Sequence, residues 1–111
     1  MHIDLRKWAD VYVVAPLGAN TLAKLSNGLC DDLLSCVARA WDFGKPLVVA
    51  PAMNTHMWSH PLTGAQLATL QGFGAVVVPP MAKKLACGDV GVGALAELGD
   101  VVAAVKDAVG A

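Results

Sequence analysis

The chain has 111 residues, of which 56% are hydrophobic and 15% charged, with a formal net charge of −1 at pH 7. That length holds one domain and not two. The apolar fraction excludes a disordered chain and offers more surface for burial than a small monomer ordinarily uses, so an oligomer is expected. Arg6-Lys7 and Lys83-Lys84 are the only adjacent basic pairs, too little for the footprint of a nucleic-acid binder.

The first positions carry Asp4, Arg6 and Lys7 rather than an apolar stretch, which is not the pattern of a signal peptide. Pro, Gly or a charge interrupts every valine-rich run well before the roughly 18 residues of a membrane span. Cys30, Cys36 and Cys87 are odd in number and lack the short paired spacing of a zinc or thioredoxin-like site. These features predict a cytoplasmic protein with free thiols, no metal site and no membrane contact.

In chain order, Val11 to Ala15 is a short continuous apolar run ending at a proline, as expected for a strand covered on both faces of a parallel sheet. A short helix over Asn20 to Ser26 follows, stopped by Asn27-Gly28. A second, separate or kinked from the first, opens at Asp31-Asp32 and sets Leu33, Cys36, Val37, Ala40 and Trp41 on one face. Leu47 to Ala50 is the second strand. Pro61 to Leu70 reads as a crossover helix with proline in its first turn and Gly72 and Gly74 behind it, and Ala75 to Val78 is the third strand. Residues 80 to 95, with Gly88, Gly91 and Gly93, read as a loop of little regular propensity, and a loop of that length suits a mobile flap over substrate. Ala96 to Val109 closes the chain as an amphipathic helix with Leu98, Val101, Val102, Val105 and Val109 on its apolar side.

Alternation of strand and helix predicts an α/β fold, a Rossmann-like doubly wound parallel sheet. Only three parallel strands are counted, about half of what such a sheet holds, and the first begins almost at once. The chain is therefore expected to be a single partial flavoprotein-type domain over 1–111, its N-terminal strands and phosphate-binding loop missing and one apolar sheet edge left unpaired.

Ligands of open parallel sheets bind beyond the carboxyl ends of the strands. After the first strand stands Pro16-Leu17-Gly18-Ala19-Asn20-Thr21, which reads either as ligand donors at a helix start or as a plain helix cap. After the second stands Pro51-Ala52-Met53-Asn54-Thr55-His56-Met57-Trp58. Its Met and Trp residues suit a core, whereas a strand end with an amide suits a ligand, and an Asn side chain can fix a carboxylate. His56 and His60 read as surface polar residues, with no third ligand at metal spacing. After the third stands Lys83-Lys84-Leu85-Ala86-Cys87-Gly88-Asp89, where two lysines beside a cysteine can favour its thiolate, while Cys36 reads as inert packing. The glycines here do not open a helix straight from a strand, so they are not a dinucleotide fingerprint.

Taken together, His2 to Asp10, Ala15 to Lys24, the octapeptide 51–58 and Ala86-Cys87-Gly88-Asp89 resemble the homo-oligomeric flavin-containing cysteine decarboxylases, and in particular their phosphopantothenoylcysteine decarboxylase branch. The octapeptide fits the family signature P-x-M-N-x-x-M-W at each fixed position. The resemblance implies FMN as cofactor, 4'-phosphopantothenoylcysteine as substrate, decarboxylation to 4'-phosphopantetheine in coenzyme A synthesis, and a homotrimer. It implies that His2 is a catalytic acid/base, that Cys87 in the flap protonates or reduces the enethiol left by carbon dioxide, that Asn54 holds the substrate carboxylate and that Met57 helps shape that pocket. Gly18, Ala19, Asn20, Thr21 and Ala52 fall where the family contacts FMN, with Gly18 standing where relatives often have Ser. Two other readings are a non-catalytic phosphatase-regulatory relative of the same fold and a peptidyl-cysteine decarboxylase; a flavin prenyltransferase would not carry the octapeptide.

Overall fold

The two longest valine-rich runs pair with each other. In the computed structural model, which describes residues 10–84 and 90–110, β1 (Tyr12–Leu17) and β2 (Leu47–Pro51) lie parallel, Tyr12 opposite Leu47 and Val14 opposite Val49. β3 (Val76–Val77) joins the other side of β2, also parallel, for the order β1-β2-β3. Every residue of the central strand β2 is buried, which a strand tolerates only with both sheet faces covered.

Helices supply that cover on both sides, as a doubly wound sheet requires. On one face, α1 (Ala19–Asn27), α2 (Leu33–Arg39) and α4 (Pro61–Phe73) bring Leu22, Leu25, Val37, Leu67 and Leu70 against Val14, Leu17 and Val49. On the other, α5 (Leu98–Val109) sets Val101, with Ala96 ahead of it, against Val48, Ala50 and Val78. This second layer lies over β2 and the end of β3, and Val13 of β1 is left 37% exposed. Among the described residues β1 has a strand neighbour on one side only.

Several element limits move for local reasons. β1 runs through Pro16 to Leu17, because Leu17 pairs with Pro51 across a register shift and its carbonyl accepts from the Ala52 amide at 3.0 Å; a proline is tolerated at such a bulged edge. α1 ends as expected at Gly28, whose φ of 73° is left-handed. α2 is separate from α1 and stops at Arg39, and its buried face is Ser35, Val37 and Ala38, while Leu33 is exposed. α4 continues past Leu70 and through Gly72 to Phe73, closing on left-handed Gly74. In α5 the inward stripe is Val101, Ala104, Val105 and Ala108, spaced i, i+3, i+4 and i+7, so Leu98, Val102 and Val109 face solvent.

The segment 80–95 is not the irregular loop its glycines suggest. β4 (Met81–Lys84) and β5 (Val90–Ala94) pair antiparallel as a second, two-stranded sheet, with Lys83 opposite Gly91 and Met81 opposite Ala94. Strand propensity measures fit to a neighbouring surface more than any intrinsic backbone preference, so a glycine-containing strand is legible only once its partner is known.

Candidate functional site

The carboxyl ends of β1 and β2 hold the candidate residues, and two backbone hydrogen bonds and one from a side chain fix them together. Ala52, half-buried, donates its N–H to Leu17, which ties the start of the octapeptide to the end of β1. One residue on, the Met53 N–H donates to the Gly93 carbonyl at 2.8 Å, tying the octapeptide to β5. The hydroxyl of buried Thr63, in α4, donates to the Met57 carbonyl.

Within this frame the octapeptide divides its labour. Met53 and Trp58 pack against the main core, as the structural reading of Met and Trp anticipates. Met57 is 50% exposed and Asn54 is exposed. The second half of the octapeptide coils into a one-turn helix, α3 (Thr55–Trp58), and Asn54 is its N-cap: Oδ1 accepts from the Met57 N–H at 2.9 Å. The acceptor end of the amide is thereby committed, and its two Nδ2 hydrogens are left as donors. An amide whose oxygen is turned to the helix and whose donors are free suits a carboxylate.

At the turn from β1 into α1, the helix cap is Gly18, with no side-chain capping bond, so the capping reading of Asn20 and Thr21 does not hold. Both lie inside the first turn, Asn20 exposed and Thr21 half-buried. The first backbone bond of the helix runs from Leu22 N to Gly18 O at 2.9 Å, so the N–H groups of Ala19, Asn20 and Thr21 have no partner within the helix. Gly18 has φ −79° and open space where a Cβ would project, so a small side chain such as Ser meets no backbone obstacle there. Uncapped donors beside an open position fit the polar edge of a cofactor.

A cavity of about 430 Å³ separates α1 from α3 and α4, with Ala19, His56, Met57, His60 and Thr63 on its walls. It brings a cofactor candidate, Ala19, and a substrate candidate, Met57, to one space. His60 is more than a surface residue: it caps α4, its Nδ1 accepting from Leu62 N at 3.1 Å. A larger cavity of about 520 Å³ lies at the opposite end of the sheet, where α1 and α4 finish and β2 begins, and none of the candidate residues lines it. Position at the strand ends is the better guide to the site than volume. His2 and Cys87 lie outside the described residues, so their distance to Asn54 is not part of this geometry. Among the described residues no three His, Cys, Asp or Glu side chains gather as metal ligands, and no helix is long and apolar enough to cross a membrane.

Thr63 and Gly93 carry roles that sequence reasoning missed. The signal for Gly93 is the glycine itself: its φ is 140°, and a Cβ there would run into the Met53 carbonyl. A glycine in a strand often marks such a close backbone approach. Thr63 gives no comparable signal, since a threonine in a helix is ordinary.

A parallel sheet with helices on both faces and a candidate site at its strand ends is the architecture of the nucleotide- or cofactor-binding α/β class. The chain belongs to the flavoprotein family, whose model matches residues 1–110. Phosphopantothenoylcysteine decarboxylase of Mus musculus is 59% identical over 106 residues, covering 96% of this chain and 52% of the mouse protein. Two solved structures superpose closely. One, described as the FMN binding protein AtHal3, has a TM-score of 0.87 at 56% identity and covers 95% of this chain and 57% of its own. The other is a cysteine-to-serine mutant of PPC decarboxylase complexed with pantothenoylaminoethenethiol, with a TM-score of 0.85 at 54% identity, covering 96% and 57%. The chain thus spans about half the length of the curated relatives it matches.

Proposed function

We propose that this chain forms the substrate side of an FMN-dependent carboxy-lyase that converts 4'-phosphopantothenoylcysteine to 4'-phosphopantetheine, working as a homotrimer in coenzyme A synthesis. The observation that carries the reading is the division of the Asn54 amide, its oxygen spent on α3 and its Nδ2 hydrogens left to bind a substrate carboxylate. Met57, exposed on the same helical turn, gives that carboxylate an apolar neighbour. Gly18, Ala19, Asn20, Thr21 and Ala52 would hold FMN, whose chemistry is to accept a hydride from the carbon that bears the substrate thiol, as the thiol loses its proton, and later to return it. The three uncapped N–H groups at the start of α1 would supply donors to the cofactor's polar edge.

In this reading His2 exchanges a proton near the substrate, and Cys87 supplies the proton that quenches the enethiol after carbon dioxide has left. The resemblance supports both roles. Binding through Asn54 orients the carboxylate, and β5 is bonded to Met53 next to Asn54.

The test is a chimera in which this chain follows the N-terminal half of the mouse relative. It should be yellow and should release carbon dioxide from 4'-phosphopantothenoylcysteine. A folded, colourless chimera, or a yellow one that releases none, overturns the reading. Release only from a peptide ending in cysteine would assign the peptidyl-cysteine activity instead.

A further inference from the structure

At the joint between α1 and α2, away from the octapeptide, two cysteines meet. Cys30 is exposed and Cys36 half-buried, and both are free thiols. The Cys36 thiol donates to the Cys30 carbonyl at 3.1 Å, which holds the Cys36 sulfur against the Cys30 backbone. Their backbones are pinned on both sides. Gly28 ends α1 in a left-handed turn, Asp32 caps α2, and Lys24 of α1 reaches across the gap to Asp31 at 3.1 Å and Asp32 at 3.3 Å. The order needed to bring two sulfurs together is therefore present in the reduced fold.

We propose that Cys30 and Cys36 are a redox modification site, closing to an intramolecular disulfide by exchange with a low-molecular-weight disulfide such as oxidised glutathione. The exposed Cys30 is the attacking thiol. Its thiolate attacks one sulfur of oxidised glutathione, forming a mixed disulfide and releasing one glutathione thiolate. Cys36 then gives up its proton and attacks the Cys30 sulfur, forming the Cys30–Cys36 bond and expelling the second glutathione thiolate, and solvent protons complete both released thiols. Two protein thiols are oxidised and one glutathione disulfide is reduced. Cys36 serves second because burial, the neighbouring Cys30 and the carboxylates of Asp32 and Asp31 all keep it protonated. The bond would tie the linker that follows α1 to α2.

The reduced protein is incubated with oxidised glutathione, alkylated, digested and mapped by mass spectrometry. The expected result is loss of alkylation at both Cys30 and Cys36, with the two joined in one linked peptide. Cys36→Ser should trap glutathione on Cys30, and Cys30→Ser should leave Cys36 open to alkylation. Both wild-type thiols remaining alkylatable would overturn the proposal. So would a wild-type protein that stops at glutathione on Cys30, or a Cys30 linked to Cys87 or to a second chain. Each outcome is read from peptide masses and depends on no catalytic activity.

Discussion

Met53 and Gly93 are joined twice: the Met53 amide donates to the Gly93 carbonyl at 2.8 Å, and the side of Gly93 that lacks a Cβ lies against the Met53 carbonyl. This contact seats the β4–β5 hairpin on the octapeptide. Gly93→Ala meets both a backbone obstruction and a φ of 140° that L side chains rarely adopt, and it should destabilise the fold by about 1–3 kcal/mol. Gly18→Ser is the control, since its backbone is ordinary and its surroundings open; it should stay within about 0.5 kcal/mol of the parent. Urea unfolding of the two variants measures the difference, and equal midpoints would remove the packing role given to Gly93.

Asn54 should show two separable functions. Asn54→Asp keeps an N-cap acceptor for the Met57 amide, so unfolding should be nearly unchanged, whereas Asn54→Ala loses the cap at a cost of about 1 kcal/mol. Both variants lose the donor proposed to bind the substrate carboxylate. Decarboxylation by the chimera should therefore fall in both by about 30-fold or more, as expected when a charged partner loses its hydrogen bond. Parental turnover in the Asn54→Asp chimera would sink the carboxylate assignment while leaving the cap intact.

The fold was legible where a segment's own pattern determines its environment. Continuous runs such as Leu47 to Ala50 announce a doubly covered strand, and Asn27-Gly28 announces a helix end. The hairpin over 81–94 was illegible because its strands depend on each other and on Met53, none of which is local in sequence. At the site, the strand-end position of Asn54 and Met57 could be read, and so could their candidacy. The cap made by Asn54 could not, because the octapeptide looks like a turn until Met57 is seen to close a helical one. In α5 Val101 and Val105 face the core as the periodicity indicates, while Ala104 and Ala108 rather than Leu98, Val102 and Val109 complete the stripe.

Tyr12 gives an alkaline test of the packing between β1 and α2. Its hydroxyl donates to the Leu34 carbonyl at 2.8 Å, and its ring packs on Trp41 with centroids 5.6 Å apart. Burial, and then the charge of Asp32, push its pKa up to about 12. The fold therefore favours the protonated phenol. Its stabilising contribution is fully present below the ordinary tyrosine pKa of about 10 and is lost as pH rises through about 12. Tyr12→Phe should cost about 1 kcal/mol at neutral pH through the lost hydrogen bond and should flatten the alkaline decline. Tyrosinate absorbance followed during a pH titration reads the group directly, because Tyr12 is the single tyrosine of the chain; ionisation near the ordinary value would contradict the burial.

Asp32 gives the acid counterpart. Its Oδ1 accepts from the Ser35 N–H and from the Ser35 hydroxyl, each at 2.7 Å, while its own N–H donates to Ser35 Oγ at 3.2 Å, a capping box with serine in the third position. The Ser35 backbone bond first, then the Ser35 hydroxyl and Lys24, hold its carboxyl below the usual value. A lowered folded pKa means that the ionised form is the one the fold favours. Its contribution is present above the ordinary aspartate value of about 4 and is lost as pH falls through the lower folded value. Thermal unfolding should therefore show an acid-side decline in Tm. Asp32→Asn, which retains a capping oxygen without a titrating group, should remove that component, and Asp32→Ala should lower Tm at neutral pH as well. The ion pairs to Lys24 are exposed on the carboxylate side, and added salt should weaken only their share. An acid decline unchanged in Asp32→Asn would place its origin in other carboxylates and would leave the capping box without a pH-dependent role.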